Sequence, residues 1–257
     1  MKIARARFKD RVLHGAVDGD RLIPIEGSIF ADFAVGGEPV PLAGVQLLAP
    51  VGPSKIVAVG LNYRDHAAER GKPLPEEPLL FLKPSTAVIG PDGAIVYPRM
   101  SRRVDYEGEL AVVMKKRASR LSALDPVESF ILGYACFNDV TARDLQDKEK
   151  QFTRAKSFDT FAAIGPWIAA GLDPSALEIR TRLNGKLRQS SNTRNLIFSV
   201  PDLVRFISNV MTLLPGDVIA TGTPAGIGPM VPGDEVEVEI EGIGTLRNRV
   251  LRIHGEA

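Results

Sequence analysis

The sequence of 257 residues has one cysteine, Cys136, so no disulfide can form within the chain and its stability must come from burial and hydrogen bonding. That usage fits a reducing compartment, and a cytoplasmic location is the expectation. An excess of one charge is also lacking: 32 basic residues against 31 acidic ones leave a net +1, with no broad field to gather nucleic acid or an anionic membrane. No apolar run reaches the roughly 18 to 20 residues that a membrane helix needs. The opening stretch from Met1 to Lys9 interleaves charges with apolar residues and has no signal-peptide core. Neither export nor membrane insertion is expected. Internal repeats, low-complexity tracts, a P-loop and the dinucleotide glycine pattern are absent as well. What is present is an apolar share of 44%, enough to bury a sizeable core. Function must then come from a local site, and a few convergent positive groups suit a small anionic ligand better than a polyanion.

The first 48 residues alternate in short β-like runs, with Asp18-Gly19 as a hairpin turn. From Leu48 to Ser54 two prolines and a glycine break regular structure. This divides the chain into a small β-rich N-terminal domain, residues 1–50, and a larger domain, residues 51–257. The larger domain opens with Ile56-Val57-Ala58-Val59-Gly60, followed by a short helical stretch from Asp65 to Arg70. Further strands are expected at Ala87 to Ile89, Glu109 to Met114, Ile131 to Phe137, Leu177 to Leu183, Val218 to Ala220 and Glu235 to Ile240. The clearest helix is Pro201 to Met211, where proline suits the first turn. The fold class expected is mainly β with short helices, α+β overall.

Chemistry-bearing residues cluster in a few segments. Glu107 and Glu109 stand two apart where a strand begins, so their side chains share a face. Asp139 ends another apolar run and supplies a third carboxylate if the two strand ends meet. Three oxygen donors suit magnesium, manganese or calcium rather than zinc; solvent-facing strand acids are the competing reading. His66 and Glu69, at i and i+3 on the short helix, can pair so that the carboxylate fixes the imidazole tautomer, although a surface histidine with a helical partner reads the same way. Arg143 and Gln146 are again three apart and could hold a substrate oxygen, or lie in a solvated turn. Lys156 could polarise a substrate oxygen, or be a surface charge. Thr221-Gly222-Thr223-Pro224-Ala225-Gly226-Ile227-Gly228 could point N–H groups at an anion, or serve only as a turn. Cys136 lies in an apolar strand and reads as a small buried side chain, not a nucleophile.

Six segments in this order resemble the fumarylacetoacetate hydrolase family over roughly Lys55 to Arg252. They are Gly60-Leu61-Asn62-Tyr63-Arg64-Asp65-His66-Ala67-Ala68-Glu69, Phe81-Leu82-Lys83-Pro84-Ser85, Asp105-Tyr106-Glu107-Gly108-Glu109-Leu110, Asn138 to Gln146, Lys156-Ser157-Phe158-Asp159-Thr160-Phe161 and Thr221 to Gly228. The resemblance implies a mixed β-roll or flattened barrel-like catalytic domain, usually in a homodimer. It implies magnesium at Glu107, Glu109 and Asp139, with manganese or calcium as alternatives. It further implies an acid–base dyad of His66 and Glu69 on a lid segment, with Arg143, Gln146, Lys156 and Thr223 contacting substrate oxygens. The expected partner is a small 2-oxo acid. The leading expectation is hydrolytic C–C cleavage of an acylpyruvate through a metal-bound enolate, with His66, Glu69 and Lys156 as catalytic residues. Two alternatives stand beside it. One is an isomerase or decarboxylase of the 2-hydroxyhepta-2,4-diene-1,7-dioate type of aromatic catabolism, or of the oxaloacetate type. The other is a protein that binds a cation and a 2-oxo acid without turnover.

Overall fold

The computed structural model describes residues 1–252; residues 253–257 of the expected larger domain lie outside them. Strands dominate and helices are short, the longest being Val200–Val210. A 13-stranded sheet runs, in its main path, through Phe33–Val35, Arg21–Gly27, Arg11–Asp18, Lys2–Phe8, Ala162–Ala169, Ile131–Asp139, Gly108–Met114, Val218–Ala220, Ile56–Gly60 and Leu79–Lys83. A five-stranded sheet (Ala94–Val96, Gly244–Leu251, Glu235–Ile240, Glu178–Leu183, Lys186–Asn192) packs across it, and a three-stranded sheet joins Thr141–Ala142, Val104–Tyr106 and Gly228–Met230.

The run Leu110 to Met114 is apolar at every position because its strand is covered on both faces. Leu110, Val112 and Met114 pack with Ile179, Val238 and Ile240 of the five-stranded sheet and with Leu203, Val204 and Ile207 of the helix. Ala111 and Val113 point the opposite way, against Ile56, Ala58, Phe137 and Ile164. The helix begins one residue before the expected Pro201. Ser199 and Asp202 form a reciprocal capping box there, with Ser199 accepting from the Asp202 N–H.

The N-terminal strands are not a detached unit. Lys2 and Ile3 pair with Ala169 and Ile168, so the meander extends the large sheet, while Ala4, Ala6 and Leu22 form a small core of their own. Its second hairpin pairs Asp18 with Arg21, which puts Gly19-Asp20 in the loop, one residue later than the expected turn. Ala162–Ala169 is absent from the strands expected from sequence, because Gly165-Pro166 reads as a breaker. The strand absorbs the proline in a bulge of its own: between the Tyr134–Ala169 and Cys136–Gly165 pairs, Pro166 to Ile168 face the single residue Ala135 of the partner strand. Cys136 is buried as expected, and burial pushes its thiol up to about 12.

Gly108, between Glu107 and Glu109, has no room for a side chain: a Cβ there would lie 2.1 Å from Thr181 Oγ1 and 3.2 Å from Gln189 Oε1. Gly108→Ala is therefore expected to destabilise the protein by about 1 to 3 kcal/mol, the usual range for overpacking, read as a lower urea midpoint at constant m-value. An unchanged midpoint would show that the five-stranded sheet yields at this contact.

Candidate active site

The register of two central strands brings the acids together. Gly108 pairs with Asn138, and the Asp139 N–H donates to the Glu107 carbonyl at 2.9 Å, so Glu107 and Asp139 stand opposite one another and share a face. Glu109 follows two residues along the same strand. One carboxylate oxygen from each of the three lies within 4.8 Å of the others, and all three residues are buried.

Their surroundings are unequal. Glu107 Oε2 accepts from Lys156 Nζ at 2.9 Å, while Oε1 accepts from Thr141 Oγ1 at 3.0 Å and from Arg143. Asp139 is bracketed by the ammonium groups of Lys83 and Lys156. Among the described residues Glu109 accepts one hydrogen bond, from the Gly222 N–H at 2.8 Å. Burial drives the Glu107 carboxyl up, yet Lys156 and Arg143 outweigh it and hold the group well below the usual carboxylate range. Burial drives the Glu109 carboxyl the same way, Asp139 and Glu107 add to it, and the opposing pull of Lys156 and the Gly222 N–H does not outweigh them, so it sits well above that range. A buried carboxylate one positive charge short, beside two further oxygen donors, fits a hard divalent cation. The donor set contains no sulfur or imidazole, as magnesium, manganese or calcium prefer and zinc does not.

The acids form part of a cavity of about 230 Å³ that also takes in His66, Gln146, Lys156, Thr223, Phe81 and Phe152. His66 Nδ1 lies 3.0 Å from Glu69 Oε2, and Glu69 Oε1 accepts the Gly226 N–H at 3.0 Å. The glycine-rich loop thus holds the carboxylate that orients the imidazole. A carboxylate can only accept, so the proton lies on Nδ1 and Nε2 carries the lone pair. Arg143 and Gln146 meet as their spacing suggests, but they bond each other. The guanidinium also engages Asp105 (Nε to Oδ2, 2.9 Å) and Glu107. Arg143 is thereby committed to buried acids, and the N–H₂ of Gln146, a residue lining the cavity, has no partner among the described residues. Thr223 Oγ1 donates to the Gly108 carbonyl at 2.9 Å and accepts from Gln189 at 2.8 Å, which ties the glycine-rich loop to the strand between the two glutamates.

Two residues here received no role from the sequence. Lys83 is fully buried on Leu79–Lys83, bonds Asp139 and the Val140 carbonyl, and has a pKa lowered by burial against the pull of Asp139. Asp105, also fully buried, accepts from both Arg103 and Arg143. Lys83 ends an apolar run of strand type, a placement that costs several kcal/mol unless a charge awaits it. That was the available signal.

Comparison with known proteins places these features. Residues 55–251 match the family model "Fumarylacetoacetate (FAA) hydrolase C-terminal", and residues 1–50 match "Rv2993c-like, N-terminal". A protein of Archaeoglobus fulgidus is 61% identical over 231 residues, which is 89% of this chain and 92% of its own. The mitochondrial oxaloacetate tautomerase Fahd2a of Rattus norvegicus is 41% identical over 82% of this chain and 71% of its own. Among solved structures, 5-carboxymethyl-2-hydroxymuconate delta-isomerase from Mycobacterium smegmatis superimposes with a TM-score of 0.92 at 46% identity, covering 98% of this chain and 100% of its own. Maleylpyruvate hydrolase from Sphingobium sp. SYK-6, solved with manganese(II) and pyruvate, gives 0.81 at 32% identity, covering 98% and 99%.

Two outcomes follow from the unequal charges. In EDTA-treated protein, Glu109 keeps its proton in the folded state above pH 4.5, its ordinary value, while the unfolded chain loses it. The folded state then binds more protons, and stability falls as pH rises from there until Glu109 ionises in the fold. Thermal melts from pH 5 upward should show that decline in the wild type and a flatter profile in Glu109→Gln; parallel profiles would contradict it. Lys83→Met strips Asp139 of a buried counter-charge and should lower the unfolding free energy by about 3 to 5 kcal/mol, measured by urea titration in EDTA.

Proposed function

The chain belongs to the fumarylacetoacetate hydrolase family, and on that premise we propose that it interconverts keto and enol forms of a small 2-oxo acid, aided by a divalent cation at Glu107, Glu109 and Asp139. The observation that carries this reading is the His66–Glu69 pair in the wall of the same cavity as the buried acids. A hard cation supplies Lewis-acid polarisation of the 2-oxo group. The chain's own residues do the rest. His66 Nε2 takes the proton from C3, the C–H electron pair becomes the C2–C3 double bond, the C2=O π pair moves onto the oxygen, and the imidazolium delivers its proton to that oxygen to give the enol; the reverse sequence restores the keto form. Glu69 holds the tautomer that this needs and offsets the imidazolium charge. In this reading Lys156, with one N–H left after Glu107 and Asp139, and the Gln146 amide donate to the substrate's oxygens, and Phe81 and Phe152 keep the carbon chain from water.

Isomerisation is favoured here over the C–C hydrolysis that led the sequence reading. The named relatives at 41% and 46% identity are a tautomerase and an isomerase, and the hydrolase stands at 32%. Proton shuttling between C3 and oxygen also uses a single acid–base group, and hydrolysis would require a directed water as well.

The decisive assay follows the ultraviolet decay of enol-oxaloacetate, and deuterium uptake at C3, with manganese, magnesium or EDTA present. Acceleration that EDTA abolishes is expected. His66→Ala should lose about 10² to 10⁴-fold in kcat/KM, the span of general acid–base catalysis, while manganese still raises its melting temperature. Release of pyruvate and a second acid from acylpyruvates, faster than any enol–keto exchange, would restore the hydrolase reading. Unchanged activity in His66→Ala would remove the histidine from the mechanism.

A further inference from the structure

The strand Ile131–Asp139 brings Asp139 to the acid cluster at its C-terminal end, and its N-terminal end borders a second cavity. Tyr134 precedes Asp139 by five residues, about 17 Å of extended chain, and the two cavities share no lining residue. The second has a volume of about 570 Å³, inside the roughly 300 to 1,000 Å³ of small-molecule sites. Its walls come from parts of residues 128–134, 171–175 and 193–201. Ile131, Leu132, Leu172, Pro174, Leu196 and Val200 give it a mainly apolar lining.

Three side chains break that lining with oxygen. Tyr134 is only 5% exposed, and its hydroxyl makes no hydrogen bond with any described residue, a costly state for a buried polar group. Glu128 and Asp173 line the same cavity, and both are exposed. Burial drives the Tyr134 phenol up, and the charges of Glu128 and Asp173 add to it, raising it to about 12. The hydroxyl end of Tyr134 therefore lies towards the part of the cavity that carries these acids. Neither acid forms an ion pair among the described residues; Asp173 Oδ1 accepts the Ser175 N–H at 2.9 Å. Arg194, exposed on the turn Thr193–Asn195, is the one cation in the lining, so two negative charges stand against one positive and leave a net −1.

We infer that this cavity binds a primary amine with an apolar body, its ammonium seated among Tyr134, Glu128 and Asp173. An ammonium has three N–H donors, one for each of these side chains, and its positive charge answers the net negative lining. The Tyr134 oxygen supplies an acceptor already out of water, where a hydrogen bond from a charged donor is strongest. The two exposed carboxylates add a weaker, salt-sensitive attraction. The apolar walls take the rest of the ligand out of water. The inference does not rest on the proposed reaction, because no residue of the acid cavity takes part.

The test compares 4-phenylbutylamine with its N,N,N-trimethyl derivative, which keeps the charge and loses the donors, and with 4-phenylbutanol, which loses the charge. Dissociation constants are read by calorimetry at low salt, with manganese and oxalate present to keep the amine out of the acid cavity. The wild type should bind the amine about fivefold to twentyfold more tightly than either analogue. In Tyr134→Phe, which removes only the hydroxyl, the preference over the trimethyl derivative should fall towards one. In Glu128→Gln/Asp173→Asn, which alters only exposed side chains, the preference over the alcohol should fall. No preference in the wild type, or a preference that survives both variants, overturns the site. Amine binding that appears only on dilution to the monomer would give the cavity to a second copy of the chain and overturn it as well.

Discussion

Everything at the site depends on holding four carboxylates almost wholly out of water. Asp105, Glu107, Glu109 and Asp139 are all buried, and Lys83, Arg143 and Lys156 are buried among them. Unpaired, any of these charges would cost several kcal/mol to desolvate. Their arrangement alternates sign: Arg143 lies between Asp105 and Glu107, Lys156 between Glu107 and Asp139, and Lys83 closes the far side of Asp139. Among the described residues Glu109 alone of the four forms no ion pair. The interior thus carries an intrinsic demand for positive charge at one point, and that demand distinguishes a cation site from a row of acids on a strand.

The fold is what makes such a cluster tolerable. Both faces of Gly108–Met114 are packed, so the backbone that carries the glutamates has little freedom, and Gly108 allows the five-stranded sheet to approach it closely. Backbone register then places Asp139 across from Glu107 without any contribution from loops. The glycine-rich loop is held at three points: Gly222 on Glu109, Thr223 on the Gly108 carbonyl, and Gly226 on Glu69. One loop therefore steadies the acid that lacks a counter-ion and the acid that orients His66, which couples the two halves of the site mechanically.

How much of this was legible in the sequence varied with the range of the interaction. Glu107 and Glu109 on one strand, the His66–Glu69 spacing and the helix after Ser199 are local patterns, and they read directly. The meeting of Asp139 with Glu107 is a matter of register between strands about 30 residues apart, visible only through the order of motifs resembling a known family. Lys83 and Asp105 lay inside those motifs but gained a role only when their counter-charges came into view. Arg143 was assigned to substrate, and the structure shows it engaged with Asp105, Glu107 and Gln146. Nothing in its spacing distinguishes a guanidinium reserved for a ligand from one spent on its own protein. The central strand Ala162–Ala169 was hidden by its Gly-Pro pair, since only the strand's own bulge against its partner makes that dipeptide acceptable.

The proposed reaction requires the three buried carboxylates to hold a divalent cation jointly. The most direct test is anomalous diffraction at the manganese edge from crystals grown with manganese chloride. The account predicts one strong peak within bonding distance of Glu107, Glu109 and Asp139 together, and its disappearance in Glu109→Gln. A peak elsewhere, or an acid cluster with no anomalous density at saturating manganese, would contradict it.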